Sequence, residues 1–193
     1  MDFNVVSTIF FLRRTVGLIF TPYATMRKIS LERKMGEIVW IYCLTILYFF
    51  IGTSVHVWVS GLMGALGLFC LSIFFLSLLP ASGTYIQRLK RIIATWSYTL
   101  VPTLLWFYST LFFYYIIPPP RTTSILGISF SIFYIAFSAS LFVWKLILIY
   151  LCIRFALRVQ LYRILYYLLL YFAISLPIWL ALYMAGISRI PFV

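Results

Sequence analysis

Five stretches of this chain, 38–58, 62–79, 92–117, 125–153 and 164–185, are apolar over close to the length a helix needs to cross a bilayer. A hydrocarbon core about 30 Å thick takes about 20 such residues. Backbone N–H and C=O groups have no water to bond there, so a chain threaded through lipid this often must satisfy them within helices. The pattern predicts an all-α polytopic membrane protein of five transmembrane helices. With 65% of residues hydrophobic and a mean hydropathy of +1.10, a soluble domain has no room to hide the apolar surface. Pro80 ends the second run and the prolines at 118–120 end the third, while a turn near 59–61 makes a tight hairpin of the first two.

Charge gives the orientation. Before the first run come Arg13, Arg14, Arg27, Lys28, Arg33 and Lys34; between the second and third, Arg88, Lys90 and Arg91; between the fourth and fifth, Arg154, Arg158 and Arg163. The opposite connections hold Arg121 and Arg189 alone. Basic residues collect on cytoplasmic loops, so five spans with a cytoplasmic N-terminus and an outside C-terminus follow. The formal charge of +12 reads as topology signal and contact with anionic headgroups, not nucleic-acid binding, for which no basic arm or motif is present.

Residues 1–36 read as a cytoplasmic, amphipathic interfacial segment and 37–193 as the transmembrane domain. Val5, Ile9, Leu12, Val16 and Ile19 recur at helical spacing, with Arg13 and Arg14 off that stripe. The run VVSTIFFL lacks a preceding basic segment and a following small-residue cleavage site, so it is not read as a signal peptide. Thr21-Pro22 reads as an N-cap with proline at the first helical position. Pro102 and Pro177, inside the third and fifth runs, are candidate kinks, and Gly61, Gly64, Ala65 and Gly67 favour close helix packing.

A search for chemistry yields little. The acidic residues are Asp2, Glu32 and Glu37, all ahead of the apolar runs, so proton relays and paired-carboxylate catalysis lack their usual groups. Ser129 and His56 make a weak protease pair, and they read better as packing and interfacial residues. Cys43, Cys70 and Cys152 are isolated, without CxxC spacing, and imply neither disulfide nor zinc. A single histidine excludes bis-histidine haem ligation within the chain. No cofactor or metal is expected, and the chain is read as not an enzyme. Tyr98, Tyr134 and Tyr171 read as packing residues, with a lipid groove as the alternative.

Taken in order, LIFTPYATMRKIS (18–30), WSYTLVPTLL (96–105) and VWKLILIYLCIRFALRVQLYRILYYLLL (143–170) resemble the Yip domain family, the Ypt/Rab-interacting membrane proteins. The short lead before the first run fits a bacterial-type member. The resemblance implies five helices, a cytoplasmic N-terminus and the inner (plasma) membrane; for eukaryotic members it implies Golgi or endoplasmic reticulum trafficking with Rab proteins.

The expected function is therefore that of a scaffold, lipid organiser or subunit of a larger membrane complex. The alternatives are a transporter or lipid-handling permease component and a Rab-interacting trafficking factor. Expected partners are membrane lipids and other membrane subunits. Arg88, Lys90, Arg91, Lys145, Arg154, Arg158 and Arg163 are the candidate contacts for partner or anionic lipid. Lys145 reads as a boundary marker whose amine snorkels to headgroups; the alternative is a buried charge with its counter-ion supplied by lipid or another subunit.

Overall fold

The structure is a computed structural model that describes residues 5–33, 35–52, 55–80, 84–116 and 124–184, with side chains at all of these except 5–6, 52, 55–63 and 65. The described residues form helices: α1 (Val5–Phe20), α2 (Pro22–Glu32), α3 (Met35–Gly52), α4 (Val55–Leu78), α5 (Tyr85–Tyr98), α6 (Val101–Ile116), α7 (Ile125–Leu157) and α8 (Leu161–Met184). By length and composition, three helical units suffice to cross a membrane: the α5–α6 unit, α7 and α8. A sharply bent α2–α3 pair makes a fourth if counted as one span, and α4 contributes the shorter apolar stretch Leu66–Leu78.

Two boundaries differ from those the sequence suggests. α3 ends at Gly52, and positions 59–61, where the sequence suggests the first turn, lie inside α4. The third run is not one helix: Thr99 and Leu100 form a tight turn, their N–H groups donating to Trp96 O (3.0 Å) and Ser97 O (3.1 Å). Pro102 consequently sits in the first turn of α6, where its missing N–H costs nothing, instead of kinking a continuous span. Pro177 lies inside α8.

Side-chain contacts fix how the helices run. Thr95 meets Cys152, Lys145 meets Thr103, Trp106 meets Ser138 and Thr110 meets Tyr134, so α7 lies antiparallel to α5 and α6. Ser72 to Tyr171 and Pro80 to Tyr167 place α4 antiparallel to α8. Glu37 to Tyr98 and Tyr48 stacked on Phe107 at 4.2 Å show α3 running with α6. This alternation brings the described basic residues of α1, α2, α5, the end of α7 and the start of α8 to one end of the bundle. At the other end Phe113 packs against Phe130, Phe133 and Phe137.

α1 turns its sequence-predicted stripe outward, with Ile9, Leu12, Val16 and Ile19 more than half exposed, and presents Phe11, Arg14 and Leu18 to the protein. Gly17 allows α2 to fold back on it, because a Cβ there would stand 2.7 Å from Thr25 Oγ1. Arg14 donates to Glu32 and, through Nη1, to Glu37 Oε2 at 2.6 Å; the Tyr98 hydroxyl donates to the same oxygen at 2.7 Å. Glu37 and Tyr98 are fully buried, and among the described residues Glu37 Oε1 has no hydrogen-bond partner. One guanidinium thus ties α1, α2 and α3 together, with α5 joined through Tyr98.

Removing one partner of a buried pair strands the other, at a cost of about 3–5 kcal/mol, whereas replacing both with apolar groups costs far less. Glu37→Leu is therefore expected to lower the Tm of the detergent-solubilised protein sharply. The Arg14→Met, Glu37→Leu double variant is expected to lose less than the sum of the single losses, and additive losses would refute the coupling.

Candidate functional site

Three of the arginines singled out from sequence, Arg88, Arg91 and Arg158, converge with a fourth, Arg33, that sequence reasoning did not select. Each owes its place to local structure. Arg33 and Arg158 occupy the C-caps of α2 and α7 in left-handed conformation, φ 49° and 54°, their N–H groups donating to Ile29 O and Arg154 O. The two caps lie on neighbouring helix ends, since Ser30 Oγ donates to Phe155 O at 3.1 Å. Arg91 lies one turn before Thr95, whose hydroxyl sits 3.0 Å from Cys152 Sγ, less than two turns ahead of Arg158 on α7. Arg88, another turn back, donates to Ser77 O (2.8 Å) and Leu79 O (3.3 Å), carbonyls that the end of α4 leaves without helical partners.

Arg91 is buried, and Arg158, Arg33 and Arg88 lie within electrostatic reach of it. Arg91 is 3% exposed, while Arg158 is open to the surroundings. Among the described residues the buried Nε atoms of Arg33 and Arg88 have no hydrogen-bond partner. Among the described residues both carboxylates, Glu32 and Glu37, are engaged by Arg14. Four guanidinium groups therefore share one locality, an arrangement complementary to an anion with several oxygens.

The remaining candidates lie elsewhere. Arg154 donates to the Tyr150 hydroxyl and lies over the Tyr23 ring at 5.2 Å. Arg163 is exposed and bonded to the Tyr162 hydroxyl, and Lys90 is exposed on α5. Lys145 is half-buried, its ammonium donating to Thr103 Oγ1 at 2.9 Å. It contributes to the wall of a cavity of about 420 Å³ enclosed by α4, the α5–α6 turn, α7 and α8. Its neighbour Trp144 donates from Nε1 to Leu18 O, so Lys145 stands level with α1. Tyr171 lines the cavity, whereas Tyr98 is spent on Glu37 and Tyr134 on Thr110. Ser129 lies on α7, and the His56 side chain falls outside those described.

Arg33 was legible only in part: it stands in a basic run, but its role as a cap facing α5 and α7 depends on tertiary packing. Compared with protein-family models, curated proteins and solved structures, the chain matches none.

Like charges this close repel wherever salt does not screen them. In neutral detergent at low ionic strength, Arg158→Gln is expected to raise the Tm by about 1–2 °C, taking about 0.5 kcal/mol of relieved repulsion. The gain should vanish at high salt; a gain that persists there, or no gain at low salt, would show that the four charges do not act on one another.

Proposed function

We propose that this chain is a non-catalytic integral membrane protein that binds anionic lipid at its basic end and thereby organises lipid or holds a place in a larger membrane complex. The observation that carries the reading is the convergence of Arg33, Arg88, Arg91 and Arg158 at the basic end of the bundle. Such a cluster at a membrane boundary recognises phosphate oxygens, with guanidinium forks giving geometry as well as charge. The outward apolar stripe of α1, level with Lys145, supports placing the basic end at the headgroup plane.

The accompanying topology is five spans, formed by α3, α4, α6, α7 and α8, with the N-terminus cytoplasmic and the C-terminus outside. α5 then lies at the cytoplasmic boundary, and the membrane is the bacterial inner membrane. Membership of the Yip family as a short bacterial-type chain belongs to the same proposal, supported by the motif order and by the helix order observed.

Lipid selectivity tests the function. Spin-labelled phosphatidylglycerol is expected to associate with the purified protein several-fold more strongly than spin-labelled phosphatidylcholine, with the preference lost in Arg91→Gln, Arg158→Gln. Equal association of both lipids with the native protein would overturn the reading. Topology has its own test on a background with all three cysteines replaced by serine. In right-side-out membranes an impermeant maleimide is expected to label Ser124→Cys and to leave Lys28→Cys untouched, and the reverse pattern would invert the orientation.

A further inference from the structure

A second site lies apart from the arginine cluster, in the cavity bounded by α4, the α5–α6 turn, α7 and α8. Its volume of about 420 Å³ falls within the range of small-molecule sites, about 300–1,000 Å³. Its wall residues run from Phe142 to Ile149 on α7 and from Tyr171 to Trp179 on α8, about 10–12 Å along each helix at about 1.5 Å per residue. Both helices are long and apolar enough to cross a membrane, so the cavity extends in the direction in which lipid chains lie. Phe142 and Leu176 line it while remaining 39% and 57% exposed, which opens it sideways between the apolar outer surfaces of α7 and α8. Phe69, Trp96 and Ile149, by contrast, are buried and belong to its inner wall.

The polar side chains that line it are already bonded within the protein. Ser72 donates to Leu68 O and Thr99 to Trp96 O, both at 2.7 Å. With its own hydrogen committed, Ser72 accepts from the Tyr171 hydroxyl 3.3 Å away, and Ser175 hydrogen-bonds the same tyrosine. Lys145 directs its ammonium to Thr103 Oγ1, on α6 and outside the wall. Liquid water of this volume would be about fourteen molecules of about 30 Å³ each, and a buried water needs about two to four polar partners. Hydroxyls spent on one another and on helix carbonyls do not supply them. An empty cavity would forfeit dispersion contacts along its whole wall. Hydrocarbon asks for no hydrogen bond and restores those contacts, and the bilayer presents it at the mouth.

We propose that this cavity takes up one acyl chain of a bilayer phospholipid. The chain enters between Phe142 and Leu176 and lies along α7 and α8 against Phe69 and Ile149. The headgroup stays outside the wall, so this site reads the chain and not the charge, in contrast to the arginine cluster.

Burial of the inner wall makes the occupant traceable. The full chain is reconstituted in phosphatidylcholine vesicles containing a trace of phosphatidylcholine with a diazirine in one acyl chain, irradiated, and its labelled residues mapped by mass spectrometry. Lipid around the protein labels exposed positions such as Phe133 and Ile135; a chain in the cavity is expected to label Phe69, Trp96 or Ile149 as well. Ser175→Phe fills the cavity from α8 and Leu146→Phe from α7, and each should lower the inner-wall labels several-fold while leaving the outer ones intact. The same photoprobe on phosphatidylglycerol should label the inner wall to the same extent. Labels confined to exposed positions in the native protein would overturn the proposal, as would inner-wall labels that persist in a folded filled variant. Loss of inner-wall labels on adding cholesterol, with the outer labels kept, would overturn it too and assign the cavity to a planar lipid. Arg91→Gln, Arg158→Gln should leave the inner-wall labels unchanged, so failure here and failure of lipid selectivity at the arginine cluster are separable.

Discussion

The architecture depends on the ion pair between Arg14 and Glu37. A guanidinium and a carboxylate withdrawn from water attract strongly, but together they repay their desolvation only with good geometry and further hydrogen bonds. Glu32 and the Tyr98 hydroxyl provide those bonds, and in doing so they determine where four helices meet. α1 and α2 are thereby fastened to the start of α3 and the end of α5. The break at Thr99–Leu100 follows directly after the anchored Tyr98.

That pair also sets the charge balance elsewhere. A chain with fifteen basic and three acidic residues has few carboxylates to distribute, and committing Glu32 and Glu37 to one arginine leaves other cations to find weaker partners. Arg88 turns to helix-end carbonyls, Arg154 to a tyrosine ring and hydroxyl, Lys145 to a threonine. Arg33, Arg88, Arg91 and Arg158 remain together as a concentrated positive field.

Periodicity and punctuation made the all-helical class, the extent of α1, the start of α2 at Pro22 and the gathering of basic connections legible. These are local signals, and the structure follows them. The split of 92–117 was not legible, because hydropathy sees the continuous apolar content while the turn at Thr99 and Leu100 follows from the tertiary anchoring of Tyr98. The first hairpin turn, read near 59–61, was misplaced for a related reason: Gly61 resembles a loop edge, yet it lies within α4. Arg14 was assigned to the polar side of an amphipathic helix, and it does lie off the apolar stripe. Its burial was invisible, since it depends on α3 and α5 closing over that side. Among the candidate contacts, sequence supplied the right residue type across the basic loops, but only packing separates the arginines that converge from those spent on tyrosines.

Arg33 and Arg158 occupy backbone conformations that glycine adopts freely and that cost other L-residues about 1–2 kcal/mol. Both helix ends therefore give up conformational ease for the sake of a charged side chain at that spot. A stability-guided redesign, reading these caps by backbone preference alone, would install glycine at both and produce a firmer fold with half of its arginine cluster erased. The strained caps mark where this chain trades folding free energy for a positive charge held in a fixed place.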